Sequence, residues 1–156
     1  MATRKKTKVD KTGQNANERY VKMIQKVMRH PAFIALSGNA KALYPHIKMY
    51  AFGSNNGKVR FTVAEAARVL GVSMNTANKA FHDLQAKGFL VLTDFGMLGV
   101  EGKRCSPTYA VTEFPIPPEV VPRMSFLTWT PGKDFQVQRH QTNNPKGWNG
   151  TSHLKN

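Results

Sequence analysis

The sequence predicts a mainly α domain with a small β-wing (α+β): a winged helix-turn-helix with an N-terminal helical extension and flexible basic tails. Three observations lead there. Two short amphipathic stretches within Phe61 to Phe95 meet at a glycine-containing turn. Two β-rich stretches flank a glycine-rich basic connection just after them. Lys and Arg total 23 against 9 Asp and Glu, a net charge of +14 and a pI near 10.2.

In chain order, Met1 to Asn17 carries Arg4, Lys5, Lys6, Lys8 and Lys11 and almost no apolar side chain. Mutual repulsion and the lack of a face to bury predict a disordered basic arm over residues 1–17. Such an arm neutralises phosphates without reading sequence. The folded domain is expected over residues 18–112. Glu18 to Arg29 sets Tyr20, Val21, Ile24, Val27 and Met28 on a broad apolar stripe, which suits either a helix or a strand followed by a helical turn. His30-Pro31 breaks it, and Ala32 to Leu36 reads as a short apolar turn. Ser37 is placed to cap a helix over Asn39 to Tyr50, with Ala42, Leu43, Ile47 and Tyr50 inward. Pro45 removes one backbone donor from that helix, and a kink is expected there. Gly53 to Gly57 is a turn cluster, and Lys58 to Thr62 alternates as a strand.

The central pair follows. Ala64 to Leu70 turns Val63, Ala66, Ala67 and Leu70 to one side, then breaks at Gly71-Val72-Ser73. Met74 to Lys87 repeats the pattern with Ala77, Ala80, Phe81 and Leu84. Ser73 is placed to cap the second helix, and Gly88 to end it in a left-handed conformation. The alanines stand where two helices must approach closely. The outward face reads Asn75, Thr76, Asn78, Lys79 and His82, with Asp83 its single acid. Phe89 to Thr93 and Thr108 to Thr112 are predicted to pair as a wing. Its tip, Gly96 to Pro107, holds three glycines and the pair Lys103-Arg104. Residues 113–135, with Pro115, Pro117, Pro118 and Pro122, read as an extended linker and a docking segment, Phe126 to Trp129. Residues 136–156 read as a flexible polar tail in which Trp148 either stacks on a base or packs on protein.

Composition excludes several classes. No apolar run is long enough to cross a membrane, and the basic N-terminus has no apolar stretch of a secretory signal. The expected location is the bacterial cytoplasm or nucleoid, which agrees with a lone cysteine, Cys105. Neither CxxC nor HxxxH spacing occurs, so neither metal nor cofactor is expected. The nine acids are dispersed and no phosphate-binding P-loop is present, so the chain is not expected to be an enzyme.

The stretches ALSGNAKALY, SNNGKVRFTVAEAARVLGVS and NTANKAFHDLQAKGF resemble small winged-helix proteins of phages, prophages and plasmid-related regions. WTPGKDF and NNPKGWNG extend that resemblance towards the C-terminus. GVSMNTANKAFHDL is also similar to the recognition segment of GntR-type regulators, with its Ser-x-x-Thr opening; Met74 and Asn78 stand where those regulators usually carry arginine. The resemblance implies a winged helix that binds DNA, in transcriptional regulation or replication.

In that reading the second helix enters the major groove. Asn75, Asn78, Lys79 and His82 face base edges: Asn bonds adenine at N6 and N7, and Lys donates to guanine O6 or N7. Ser73 and Thr76, at the helix N-terminus, and Arg60, Arg68, Lys103 and Arg104 are candidate phosphate contacts. Arg68 has an alternative, an ion pair with Glu65 three residues before it. The expected partner is double-stranded DNA, with a second copy of the chain or a replication or transcription protein as further candidates. A nonspecific nucleoid-type binder and a winged-helix protein-docking module are the alternative classes.

Overall fold

A computed structural model describes residues 19–52, 54–96 and 106–138. The basic arm (Arg4, Lys5, Lys6, Lys8, Lys11), the wing tip with Lys103, Arg104 and Cys105, and the tail with Trp148 lie outside the described residues. The architecture is α+β, with five helices and a three-stranded antiparallel sheet among the described residues. The order is α1 (Gln25–Met28), α2 (Pro31–Ile34), α3 (Gly38–Lys48), β1 (Val59–Arg60), α4 (Val63–Leu70), α5 (Met74–Ala86), β2 (Leu90–Asp94) and β3 (Thr108–Val111). A 3₁₀ turn, Ser125–Thr128, follows.

The N-terminal stripe is less helical than its apolar spacing suggests. Only Gln25–Met28 forms a helix, and of its apolar residues Val27 alone is fully buried while Tyr20, Ile24 and Met28 stay exposed. Pro31 disfavours helical backbone at His30, which instead caps α2 by accepting from the Ala32 N–H through Nδ1. Ser37 caps α3, which continues through Pro45. The inward face of α3 is Ala40, Leu43, Tyr44 and Ile47. Ala42 and Tyr50, expected inward, are exposed. The i, i+3, i+4, i+7 set begins at Ala40, and Tyr50 lies beyond the end of the helix.

Helices α3, α4 and α5 pack as one layer around Leu43, Ile47, Ala66, Ala77, Ala80, Phe81 and Leu84. The sheet closes the layer with Val59, Leu90, Tyr109 and Val111. Its strand order is β1-β3-β2, so β3 pairs with both neighbours: Val59 opposite Tyr109, Leu90 opposite Val111. The register shifts between Leu92 and Asp94, which sets Thr93 apart as a bulge. Its hydroxyl donates to the Gly57 carbonyl at 2.6 Å and bonds Thr108 Oγ1 at 2.8 Å.

The segment after β3 is no free linker at its start. Thr112 and Glu113 are buried, and Phe114 packs on the core. Further on, Phe126 lies flat on Phe89, with ring centroids 4.8 Å apart and planes 5° from parallel. The Phe135 N–H donates to the Ala86 carbonyl at 2.8 Å. This docked stretch covers the end of α5 so closely that a Cβ on Gly88 would lie 2.8 Å from the Phe126 nitrogen.

Candidate nucleic-acid interface

Each end of the α4–α5 pair is fixed by local chemistry. Thr62 and Glu65 form a capping box: the Thr62 hydroxyl accepts from the Glu65 N–H, and Glu65 Oε2 accepts from the Thr62 N–H at 2.8 Å. That backbone bond, with a second from the Thr62 hydroxyl, holds the Glu65 carboxyl below its usual range. At the turn, Gly71 takes φ +65°; its N–H donates to Arg68, and that of Val72 to Ala67. These are the paired bonds of a Schellman ending, and only a residue without Cβ takes that conformation freely. Ser73 then caps α5, its hydroxyl accepting from the Thr76 N–H at 3.2 Å and bonding Thr76 Oγ1 at 2.9 Å. Gly88 closes α5 as Gly71 closes α4, with φ +79° and the Phe89 N–H donating to Leu84.

This framework sets the phase of α5. Ala77, Ala80, Phe81 and Leu84 are buried, as their spacing predicts, and Phe81 stacks on Tyr109 at 5.1 Å. The opposite side forms a stripe at positions i, i+3, i+4 and i+7: Asn75 and Lys79 exposed, Asn78 and His82 half-buried. Met74 is exposed beside it. Asp83, expected on the outward face, turns instead to α3. Its Oδ2 accepts from the Ser37 N–H at 2.7 Å, and its Oδ1 meets Lys87 Nζ at 2.9 Å. Burial pushes the Asp83 pKa up, but the Ser37 and Lys87 hydrogen bonds outweigh it and hold the group below its usual value. The open stripe therefore carries no carboxylate.

Among the candidate phosphate contacts, Arg60 on β1 and Arg68 on α4 are exposed. Arg68 and Glu65 make no contact ion pair, Glu65 being hydrogen-bonded to Thr62, but the Arg68 charge still helps to lower the Glu65 pKa. Ser73 and Thr76 sit together at the start of α5, their hydroxyls bonded to each other. The Thr76 N–H is occupied by Ser73 and does not point outward unpaired, as an anion site would need. Across the described residues every acid has a partner, Asp94 through the Gly96 N–H, Glu119 through Arg123 and Asp134 through Trp129. Lys48, Lys87 and Arg123 are the cations in ion pairs. Arg60, Arg68 and Lys79 are in none among the described residues, where thirteen Lys and Arg stand against six Asp and Glu, so the surface is positive in balance.

Sequence reasoning missed two polar hubs that hold this face in place. Asn56, read only as part of a turn, is buried; its amide donates to the Val111, Phe114 and Pro115 carbonyls and its oxygen accepts from the Val111 N–H. Glu113, read as the start of a linker, is buried between Lys48 Nζ at 2.9 Å and the Tyr44 hydroxyl. Burial, then the Glu113 charge, pushes the Tyr44 pKa well up. A buried Asn and a buried Lys–Glu pair leave no periodic trace in a sequence, so only their long-range partners reveal them. No group of three or more His, Cys, Asp or Glu among the described residues is placed to hold a metal ion. No helix among them is long and apolar enough to cross a membrane. Comparisons with protein-family models, curated proteins and solved structures give no match for this chain.

Proposed function

We propose that this chain is a winged helix-turn-helix protein that binds double-stranded DNA, with α5 in the major groove and the β2–β3 connection as the wing. The observation that carries the reading is the α5 stripe of Asn75, Asn78, Lys79 and His82, cleared of its one carboxylate by the turn of Asp83 towards α3. Amide and ammonium groups on one helix face match the acceptors and donors that base pairs present in the major groove. Arg60 and Arg68 supply phosphate contacts that position the helix, and Lys103 and Arg104 do so from the wing. The chain acts as a binder and not as an enzyme. Its resemblance to phage- and plasmid-associated winged-helix proteins supports a role in transcriptional regulation or replication, in the bacterial cytoplasm or nucleoid, with a second copy or a replication or transcription protein as partner.

The test is selection of bound fragments from random duplex DNA, followed by titration of the recovered site against a scrambled one. Asn75→Ala and Lys79→Ala are expected to weaken the selected site more than the scrambled one, by about 1–3 kcal/mol for a lost bidentate base contact. Equal losses on both duplexes would remove base reading from α5. The positive balance of the surface favours a second reading, a nonspecific binder, and recovery of no preferred site would establish that instead.

A further inference from the structure

A groove of about 930 Å³ lies away from the α5 stripe, between the chain entering at Arg19 and the end of α3. Its apolar surface comes from Tyr20, Met49, Tyr50 and Phe52, which are 75%, 51%, 48% and 57% exposed. Tyr50 meets the core on one side, its ring 5.5 Å from that of Phe61, while Tyr20, Met49 and Phe52 take no part in it. Arg19 and Lys22 stand among them, and neither is in an ion pair among the described residues. No Asp or Glu among the described residues lines the groove.

The walls are held rigidly. Lys48 Nζ donates to the Lys22 carbonyl at 2.8 Å and to Glu113 at 2.9 Å, tying the entering chain to α3. On the other side Asn55 fixes the turn that carries the rings: its oxygen accepts from the Phe52 N–H, and its amide donates to the Tyr50 carbonyl. Asn56 then anchors that turn to the segment after β3. Because Lys48 is buried against Glu113, the charge that the described residues give the groove is that of Arg19 and Lys22.

We infer that this groove is a binding site for single-stranded DNA, in which bases stack on Tyr20 and Phe52 while Arg19 and Lys22 meet the phosphates. Exposed rings interleaved with unpaired cations are the two elements of such sites: the π-faces take any base, and the cations track the backbone. A duplex keeps its bases stacked on one another and offers the rings nothing. The sequence just before Arg19 carries Arg4, Lys5, Lys6, Lys8 and Lys11 against Asp10 and Glu18, a balance that favours a polyanion over an acidic peptide as occupant. Among the described residues no Asp, Glu, Asn or Gln side chain lines the groove, and comparison of oligo-dT with oligo-rU tests the choice of DNA over RNA. The inference does not depend on the reading of α5.

The probe is a fluorescein-labelled oligo-dT of about fifteen nucleotides, within the span of known single-strand sites, titrated into the full chain. Tyr20→Ala and Phe52→Ala are each expected to weaken binding ~5- to ~150-fold, the range for one lost base stack. Tyr20→Phe and Phe52→Tyr, which keep a ring, should restore it. Arg19→Ala and Lys22→Ala should each flatten the salt slope by ~0.7. Duplex affinity should stay with Asn75 and Lys79 and be indifferent to Tyr20 and Phe52, so failure of one reading leaves the other standing. Photo-crosslinking of a bromodeoxyuridine oligonucleotide to the unaltered chain should map to Tyr20, Tyr50 or Phe52, whether or not the variants fold. Crosslinks elsewhere would overturn the proposal. So would unchanged oligo-dT affinity in the folded alanine variants, tighter binding of oligo-rU, or displacement of oligo-dT by an acidic, leucine-rich peptide.

Discussion

At the scale of single residues, the helix phase of α5 is the point on which the proposed DNA-facing stripe depends. Phe81 is buried, stacked on Tyr109 and 6.5 Å from the ring of Phe61. Phe81→Ala should leave a cavity and cost about 3–5 kcal/mol, while the exposed Lys79→Ala should stay within about 0.5 kcal/mol of the parent. Urea unfolding measures both, and the reverse pattern would place the wrong face outward. Asn56 makes a different kind of demand, since its loss strands the buried Val111 N–H and its carbonyl neighbours. Asn56→Ala should cost about 2–4 kcal/mol, the penalty for more than one unmet buried hydrogen bond. Phe81 was legible in the sequence because burial of apolar residues follows helical spacing. Asn56 was not, because an Asn-Gly pair signals only a turn, and its partners lie at the end of β3 and just after it.

At the scale of elements, caps were legible where the signal is local. Ser73, Gly71 and Gly88 stand beside the breaks they make, and the strand pair after α5 follows from β-rich runs around glycines. The packing of one element on another was less so: Asp83 reads as an outward acid on its own helix, yet it reaches the first N–H of α3. There it serves the helix N-terminus, where a carboxylate is favoured. Its folded pKa lies below the usual aspartate value, so its stabilisation is present above about pH 4 and is lost as pH falls through the folded pKa. Asp83→Asn should therefore lower stability by about 1 kcal/mol at neutral pH, with the two proteins converging once the pH has fallen below the folded pKa of Asp83. Melting temperatures across that range decide it; a gap that persists in acid would mean that shape and not charge joins α5 to α3. The face of α3 was misread for a related reason, since Tyr50 is apolar enough to be counted inward although it stands past the helix end.

At the scale of the whole molecule, charge is the dominant property. Half of the excess lies in the first thirty residues, and the described residues hold thirteen Lys and Arg against six Asp and Glu. For a chain that binds duplex DNA, deletion of residues 1–17 should weaken all sequences together. The salt slope should flatten by about 0.9 for each phosphate contact removed. A slope that does not change would confine the binding to residues after the arm. Net charge was legible from composition alone. Its arrangement was not, because which cations remain unpaired depends on where each carboxylate is spent in the fold.

The strand order has a consequence for how the chain is made. The middle strand, β3, is the last of the three to be synthesised, and the whole α4–α5 pair lies between the paired residues Val59 and Tyr109. Contacts between α4 and α5 span a short loop and cost little to close, whereas the sheet must wait for a distant segment. Because Phe81 rests on Tyr109, the helix that carries the stripe has no floor until β3 arrives. On the ribosome, a nascent chain arrested with Thr108 still inside the exit tunnel should have paired helices and no affinity for duplex DNA. One arrested after Trp129 has emerged should bind. Duplex binding by the shorter chain would show that the helix pair seats itself without its sheet.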